Sequence, residues 1–377
     1  MALNIILGTL ALLSWLLTIW QWAVASRFPL HQPQPGGGWA PPLSLLKPLK
    51  GCDGHTPECL ESCLTQSYAG PVEILFGVAS AEDPVCETVR RLLARHPKAD
   101  ARLIICAENL GANAKVSTLA QLMRLARHDL IVISDADVWL PDGFLTQVAA
   151  HFSDPAVGLV NCFYRMATPA NLAMRWEAFA VNADFWSQVL QSASLRPIDF
   201  ALGAVMATTR AQIAKIGGFA SLSDCLADDY QLGHRIARGG ATIALTTLVV
   251  ECRNGPMSWR EVWAHQLRWA RTIRVCRPGP YFMSQLHNGT LWPWLWACAQ
   301  PGGPVFALAC GCLVTRMAVA HYCERKLTRQ SDMASLWMAP IKDLAQTIIW
   351  GTAFFGRRIE WRGQRFKVLT GGRLVKI

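Results

Sequence analysis

The sequence predicts an α/β protein with a mostly parallel sheet and flanking helices, plus an N-terminal transmembrane helix and C-terminal membrane-associated helices. Apolar runs that predict strands lie at Val72–Val78, Leu103–Cys106, Leu130–Ser134 and Gly158–Phe163. Stretches with helical periodicity, residues 83–97 and 112–128, alternate with the first three runs, and such alternation is typical of parallel sheets. Hydrophobic residues make up 52% of the chain and charged residues only 16%, whereas soluble domains carry about 25% charged residues.

The N-terminal segment is predicted to be a transmembrane anchor over residues 1–26. Residues 2–25 contain no charged side chain, and about 20 apolar residues span a bilayer as a helix. A cleaved signal peptide is the alternative because Ala23-Val24-Ala25 resembles a cleavage site, but the basic n-region is missing and the apolar run is long. Arg27 follows the segment and favours a cytosolic location for the body of the chain.

The remainder is predicted to form four segments. Residues 27–42 include HQPQPGGGWAPP, a Pro/Gly-rich linker. Residues 43–285 are predicted to form the main cytosolic domain, which ends in an interfacial helix. Residues 286–356 are predicted to be membrane-associated helices, and residues 357–377 a basic cytosolic tail. Within the membrane-associated part, Leu291–Tyr322 is interrupted by Pro301 to Pro304, which indicates a broken helix or a re-entrant pair.

The charge distribution favours a membrane surface as a partner. The formal net charge is +10, and basic residues concentrate in Arg260–Arg277 and Arg357–Lys376. Such clusters beside membrane segments usually meet anionic lipid headgroups. Nucleic acid is not an expected partner because the sequence lacks binding-motif spacing. The 13 cysteines are scattered without the second pair that a zinc site needs, so we expect reduced thiols, as in the cytosol.

Two aspartates follow the predicted strand Leu130–Ser134 directly. Asp135 and Asp137 are two residues apart, so in an extended segment their carboxylates face the same side. Carboxylate oxygens suit Mg²⁺ or Mn²⁺ rather than zinc, although aspartates after a strand are also ordinary turn formers. Glu82 and Asp83 follow the strand Val72–Val78 in the same way, and ligands of open α/β sheets bind beyond the carboxyl ends of strands.

A second acidic pair, Asp228 and Asp229, precedes a stretch of helical pattern, Gln231–Arg238. Acidic residues at a helix start have an ordinary interpretation as caps. The functional interpretation is that one carboxylate acts as a general base, which removes the proton from an acceptor hydroxyl as its oxygen attacks a sugar. A single in-line attack of this kind inverts the configuration at the anomeric carbon.

A basic and aromatic motif, His265-Gln266-Leu267-Arg268-Trp269, lies in a predicted helix. Arg268 and Arg271 share a face of that helix, and guanidinium groups bind diphosphate well. An amphipathic helix on the membrane surface, with its arginines reaching the headgroups, explains the same pattern and is compatible with it.

Eight stretches occur in the order found in the family-2 glycosyltransferases with a GT-A fold. Within them, the chain resembles the ceramide glucosyltransferase group and the related bacterial hopanoid-lipid glycosyltransferases, over about residues 42–377. The stretches are LSLLKPLKG, LGANAKVSTL, DLIVISDADVWLP, ALGAVMATTR, IGGF, LADDYQLG, HQLRWARTIR and WRGQRFKVLTGG.

The resemblance implies roles for individual residues. Asp83, with Glu82 as an alternative, would help to bind the uridine nucleotide, and Asp135, Asp137 or both would hold a metal–diphosphate. Asp229 would be the base, next to Asp228. Lys115 matches a basic position near the donor diphosphate. His265, Arg268 and Trp269 match a (Q/R)xxRW motif, in which His265 replaces the usual Gln or Arg.

The function implied by the resemblance is inverting sugar transfer from a UDP-sugar to the hydroxyl of a membrane lipid, with Mg²⁺ or Mn²⁺. Transfer of glucose to ceramide is the first expectation, by a multi-pass membrane protein with a cytosolic catalytic domain. Transfer of N-acetylglucosamine to a hopanoid such as bacteriohopanetetrol, or to another lipid, is the alternative. A polymer-making synthase needs more membrane spans than this chain offers. The sequence does not specify an oligomeric state.

Overall fold

The computed structural model describes residues 1–33, 38–330, 333, 336–361 and 364–377. Residues 34–37 of the predicted linker and residues 362–363 of the C-terminal motif lie outside the described residues. The α-helices are, in chain order, α1 (Ala2–Arg27), α2 (Thr56–Leu64), α3 (Val85–Arg95), α4 (Ala114–Leu125), α5 (Phe144–Ala150), α6 (Leu172–Phe179), α7 (Trp186–Leu195), α8 (Arg210–Lys215), α9 (Asp228–Arg238), α10 (Trp259–Cys276), α11 (Pro278–Met283), α12 (Leu291–Ala299), α13 (Gly303–Thr328) and α14 (Met338–Ala353). The strands are β1 (Leu43–Leu49), β2 (Val72–Val78), β3 (Ala101–Ile105), β4 (Leu130–Ser134), β5 (Val138–Trp139), β6 (Val157–Ala167), β7 (Val205–Thr209), β8 (Thr242–Arg253), β9 (Arg358–Trp361), β10 (Gln364–Val368) and β11 (Leu374–Lys376).

These elements form two compact units, each assembled from three segments of the chain. The sheet unit consists of Leu30–Thr168, Pro197–Gly255 and Gly372–Ile377. The helical unit consists of Met1–Pro29, Pro169–Arg196 and Pro256–Gly371.

An eight-stranded sheet organises the sheet unit, with the strand order β3-β2-β1-β4-β7-β6-β8-β5. The first four strands in this order are parallel, and β8 is parallel to β6. β7 and β5 are antiparallel to their neighbours. The predicted α/β class is confirmed: β2 and β4 coincide with the predicted strands, and α3 and α4 lie within the predicted helices.

The sequence pattern did not predict β1, although this strand lies between β2 and β4. Lys47 and Pro48 interrupt its apolar run, and proline cannot donate to a central ladder. The strand tolerates Pro48 because its pairing with β4 ends at Leu46, opposite Ile133. All seven residues of β1 are buried. Their burial therefore comes from the neighbouring strands and not from a pattern within the segment.

The main core of the sheet unit lies between the sheet and α4, α8 and α9. It contains Leu46, Leu75, Val116, Leu119, Leu122, Ile131, Ile133, Ile213, Leu232 and Ile236. Apolar burial of this kind contributes about 25 cal/mol per Å². This packing fixes the amino-terminal ends of α4 and α9 at the carboxyl edge of the parallel strands.

Among the described residues, the helical unit contains two helices that are long and apolar enough to cross a membrane, α1 and α13. The predicted anchor at residues 2–25 corresponds to α1, which extends to Arg27. The apolar stretch Leu291–Tyr322 is two separate helices, α12 and α13. The break lies at Gln300–Gly302, and Pro304 occupies the first turn of α13, where its missing N–H costs no helical hydrogen bond.

A buried cluster of four charges joins α13, α14 and a π-helical segment, Ala180–Phe185, within the helical unit. Arg316 Nη2 lies 2.7 Å from Asp184 Oδ2 and 2.9 Å from Asp343 Oδ1. Lys342 Nζ lies 2.7 Å from Asp343 Oδ1 and also pairs with Asp184. Each of the four side chains is 4–6% exposed. The isolated charges of Arg316, Lys342 and Asp343, which interrupt apolar segments of the sequence, are therefore partners in one network.

The C-terminal residues, predicted as a basic tail, contain regular structure. In the helical unit β9 and β10 pair antiparallel, with Ile359 opposite Phe366. In the sheet unit Cys225 forms a bridge with Arg373, and Leu374 N donates to Asp224 O at 2.7 Å. The last residues of the chain are therefore ordered against the segment that precedes Asp228.

Candidate active site

Glu82 and Asp83 lie in a loop at the carboxyl end of a parallel strand, where Asp83 meets backbone N–H groups. Asp83 follows β2, and both of its carboxylate oxygens accept a hydrogen bond from Gly51 N, which follows β1, at 3.0 Å. Asp83 Oδ1 also accepts from the backbone N of Val85, the first residue of α3, at 3.0 Å. Glu82 is exposed, and its contact with the Ser80 hydroxyl lowers its pKa. Asp83 is thus fixed by the fold, whereas Glu82 projects from it.

Lys115 joins two of the predicted acidic positions. Its Nζ lies 2.6 Å from Asp135 Oδ1 and 3.4 Å from Asp228 Oδ2. The lysine side chain is only 9% exposed, so Lys115 is not an ordinary surface lysine. Burial opposes its charge, but the carboxylates of Asp135 and Asp228 outweigh burial and raise the pKa of Lys115.

Asn113 fixes the geometry around Lys115 and was not singled out from the sequence. Its side-chain oxygen caps α4 by accepting from Val116 N at 3.2 Å. Its Nδ2 donates to Asp228 Oδ1 at 3.2 Å and to Cys225 O at 2.9 Å. An asparagine near the start of the predicted helical stretch 112–128 is a sequence signal for such a cap. Its contact with Asp228, 115 residues away, required the folded chain.

Asp229 lies beside Asp228 at the start of α9. Its Oδ1 accepts from Tyr230 N at 2.7 Å. Burial of the carboxylate, reinforced by the negative charge of Asp228, raises the pKa of Asp229 to about 6. A carboxylate with such a pKa is ionised at neutral pH and is a stronger base than an ordinary aspartate.

Gly203 packs directly against the Asp229 side chain. A Cβ atom at position 203 would lie 2.6 Å from Asp229 Oδ2, closer than real Cβ contacts. The backbone of Gly203, in the loop before β7, thus leaves room for the carboxylate. A close approach of this kind explains why glycine suits this position.

Asp137 lies on the turn that follows β4, with Asp135. Burial and the nearby Asp135 carboxylate together raise the pKa of Asp137. In the described part of the chain, no group of three or more His, Cys, Asp or Glu side chains is arranged to hold a metal ion. The two aspartates therefore offer an incomplete set of oxygen ligands.

The predicted motif at residues 265–269 lies on α10, in the helical unit. Ser258 and Glu261 form a capping box that begins this helix. His265 Nδ1 lies 2.7 Å from Glu177 Oε1, and Gln266 Nε2 donates to the same oxygen at 2.9 Å. Glu177 is fully buried. Its pairing with His265 gave no sequence signal, because a lone glutamate in α6 resembles any other helical glutamate.

The other aromatic and basic residues of α10 serve different contacts within the helical unit. The Trp269 ring lies 4.5 Å from the His265 ring, measured between centroids. Trp263 stacks on Trp176 at 6.4 Å. Arg271 donates to Arg358 O at 2.6 Å and to Phe355 O at 3.0 Å, so it holds the chain before β9. Arg268 is half-buried and lies one turn from His265.

A family model described as Glycosyl transferase family 21 matches residues 4–374. Ceramide glucosyltransferase 3 of Caenorhabditis elegans is 26% identical over 370 residues, which cover 93% of this chain and 78% of that protein. Ceramide glucosyltransferase 1 of the same organism is 28% identical over 232 residues, which cover 59% of this chain and 47% of that protein. The resemblance to the ceramide glucosyltransferase group is confirmed, under the family number 21.

A solved structure with a similar fold is the mannosyltransferase PcManGT from Pyrobaculum calidifontis, in complex with GDP-Man and Mn²⁺. The TM-score is 0.56 and the sequence identity 22%, and the match covers 92% of this chain and 99% of the mannosyltransferase. At this identity the similarity concerns the fold. It confirms the expected GT-A-type architecture.

Proposed function

Because the chain belongs to glycosyl transferase family 21, we propose that it transfers glucose from UDP-glucose to the primary hydroxyl of ceramide and forms glucosylceramide. The observation that carries the proposal is the arrangement of Asp229 beside Gly203, with Asp228, Lys115 and Asp135 in one connected group. The relatives named ceramide glucosyltransferase support this acceptor. They favour it over the hopanoid alternative.

The proposed reaction is a single displacement at the anomeric carbon of the donor. The acceptor oxygen forms the new bond to this carbon as the bond to the UDP oxygen breaks, and the hydroxyl proton passes to Asp229. UDP leaves with the electron pair of the broken bond. Attack from the face opposite the leaving group inverts the configuration, so an α-linked donor gives a β-glucoside.

Asp135 and Asp137 suit a divalent cation, Mg²⁺ or Mn²⁺, that is shared with the donor. Mg²⁺ is usually held by one or two carboxylates plus substrate phosphates, which matches two aspartates without a third protein ligand. The cation would neutralise charge on the departing diphosphate. Lys115 is placed to add positive charge beside Asp135. We propose that Asp83 and Glu82 bind the uridine nucleotide. His265, Arg268 and Trp269 are proposed to contact the donor.

The proposed location is a membrane, with the catalytic residues on the cytosolic side. α1 and α13 provide the candidate spans, and Arg27 is the last residue of α1. Arginines 357 and 358 follow α14 and suit anionic headgroups. We propose a multi-pass arrangement in which residues 43–285 act on a lipid that stays in the bilayer.

The proposal is tested with the full chain purified in detergent or nanodiscs. The protein is incubated with UDP-glucose or UDP-N-acetylglucosamine and with ceramide or a hopanoid polyol, and lipid products are identified by mass spectrometry. We expect glucosylceramide, and its loss when a chelator is present. An N-acetylhexosaminyl hopanoid without glucosylceramide would replace the proposal with the alternative. Product that is unchanged by chelator would refute the metal requirement.

Replacing Asp135 and Asp137 together with Asn is expected to abolish metal-dependent donor binding, because both oxygen ligands lose their charge. The measurement is a calorimetric titration with UDP in the presence of Mn²⁺ and in chelator. Asp129→Asn is the matched control, since the Asp129 side chain is 91% exposed and lies in the same unit. An unchanged Mn²⁺-dependent component in the double variant would contradict the assigned ligands.

Gly203→Ala is expected to lower kcat by on the order of 10- to 100-fold, because the new methyl group displaces the Asp229 carboxylate. Nucleotide affinity should change little. Gly54→Ala is the control, because a Cβ atom at Gly54 meets no atom within 4 Å and its backbone is not in the left-handed region. Equal kcat in the two variants would show that Asp229 Oδ2 has no fixed position during turnover.

A further inference from the structure

Lys47 is a fully buried lysine that the proposed reaction does not use. It lies in β1, in the middle of the sheet, and its side chain is inaccessible to solvent. Its Nζ donates to Ser134 Oγ at 3.0 Å, to Asp135 O at 2.8 Å and to Val138 O at 3.0 Å. An ammonium group has three protons to donate, so these contacts use its full capacity.

All three acceptors belong to one short segment, residues 134–138, which carries the carboxylates of Asp135 and Asp137. Removing a charged ammonium from water costs several kcal/mol unless hydrogen bonds replace the lost hydration. A buried apolar residue would fill the same space in β1 without that cost. The presence of a lysine here is therefore explained by its hydrogen bonds, which hold the segment that carries the two aspartates.

Other hydrogen bonds hold the same turn and leave it little freedom. Asp135 N donates to Ala204 O at 3.0 Å, and Arg253 N donates to Asp137 O at 2.8 Å. Val138 N donates to Asp135 O at 3.2 Å. Asp135 O therefore accepts from both Val138 N and Lys47, and the Lys47 ammonium links the two ends of the turn.

We propose that Lys47 is a positioning residue that sets the relative placement of the Asp135 and Asp137 carboxylates for a divalent cation bound with the donor diphosphate. This inference rests on the proposed function, because that function assigns the cation to these aspartates. Lys47 touches neither the cation nor the donor. It acts through the backbone of the metal-binding turn, and groups that orient metal ligands typically change metal affinity by about 10- to 100-fold when they are removed.

The test compares Lys47→Met with Lys50→Met in the full chain. Methionine keeps the unbranched stem of lysine but cannot donate a hydrogen bond. Lys50 lies three residues away and is exposed, so it controls for the loss of one positive charge near the site. Mn²⁺ affinity is measured by electron paramagnetic resonance in the presence of UDP, UDP affinity is measured in chelator, and the melting temperature is measured without metal.

We expect Lys47→Met to weaken Mn²⁺ binding in the presence of UDP by ~10- to 100-fold, with UDP affinity in chelator unchanged. Lys50→Met should match the wild type in both measurements. A merely structural role would lower the melting temperature and weaken both kinds of binding together. Wild-type Mn²⁺ affinity in a folded Lys47→Met protein would overturn the inference.

Ser134→Ala provides the decisive variant if Lys47→Met does not fold. It removes one of the three acceptors, together with the 3.3 Å hydrogen bond from Ser134 Oγ to Asp135 O, and is a small change at a fully buried position. We expect a loss of Mn²⁺ affinity of several-fold with a melting temperature near that of the wild type, and unchanged affinity would overturn the inference. The wild type separates this inference from the proposed function. If the wild type binds Mn²⁺ with UDP but glycosylates no lipid, the proposed lipid acceptor is refuted and the role of Lys47 is not. A wild type without nucleotide-dependent Mn²⁺ binding would refute both.

Discussion

Replacing Asp229 with Asn is expected to reduce kcat by about 10²- to 10⁴-fold, the contribution typical of a general base. The amide has nearly the shape of the carboxylate and can still accept from Tyr230 N, but it cannot take the acceptor proton. UDP affinity should stay close to that of the wild type. Turnover is measured with UDP-glucose and ceramide, and nucleotide binding by calorimetry.

Asp129→Asn serves again as the matched control, because it makes the same chemical change at an exposed position of the sheet unit. If Asp229→Asn loses UDP binding together with turnover, the residue acts in donor binding and not as the base. If kcat is retained, the base lies elsewhere.

The pH profile gives an independent check on Asp229. The base must be ionised to accept a proton, and its pKa is raised to about 6 by burial and by Asp228. The ionised fraction therefore falls as the pH decreases through about 6, and kcat/KM should fall by about tenfold per pH unit below that value. An ordinary aspartate, with a pKa of about 3.9, would leave the profile flat to well below pH 5. A flat profile down to pH 5 would contradict the raised pKa.

Arg316→Met is expected to cause the largest loss of stability. It removes one cation from the buried cluster, so Lys342 is the one cation of the cluster that still pairs with Asp184 and Asp343 among the described residues. Breaking a buried ion pair by removing one partner costs about 3–5 kcal/mol, which corresponds to a decrease in melting temperature on the order of 10 °C. The measurement is thermal unfolding of the purified protein in detergent.

Two further variants test whether charge compensation is the cause. Arg325→Met makes the same substitution at an exposed position in α13 and should leave the melting temperature close to that of the wild type. Arg316→Met combined with Asp343→Leu removes one charge of each sign, so Asp184 and Lys342 remain as a neutral pair. The double variant should be more stable than Arg316→Met alone. If it is less stable, the cluster stabilises the helices by packing rather than by charge balance.

Local sequence patterns predicted those helices that have one apolar face and those strands that are apolar throughout. β2 and β4 have the predicted bounds, and α3 and α4 lie inside the predicted helices, because hydrophobic periodicity is a property of neighbouring residues. The sequence pattern did not predict β1, because Lys47 and Pro48 interrupt its apolar run. The break between α12 and α13 was predictable from proline and glycine, but the choice between a broken helix and a re-entrant pair was not.

The candidate site residues also divide into those that local sequence patterns indicate and those that only long-range contacts reveal. The sequence indicated the acidic residues because they follow strands or begin a helix. It did not indicate the contacts that Asn113, Gly203 and Lys47 make. Asn113 is 115 residues from Asp228, and Lys47 is 87 residues from Ser134 and 88 from Asp135. A contact between residues that are distant along the chain leaves no signal in the hydrophobic periodicity, because any polar residue fits that periodicity equally well at such a position.

The sequence by itself determined the alternation of strands and helices, the long apolar helices at both ends, and the acidic residues at the carboxyl ends of strands, because each of these depends on residues close together in the chain. The tertiary structure alone decided which charged and polar side chains meet. Lys115 pairs with Asp135 and Asp228, Glu177 with His265, and Arg316 with Asp184 and Asp343. The physical reason is that a buried charge is stable only beside a compensating group, and folding determines which distant segment supplies that group.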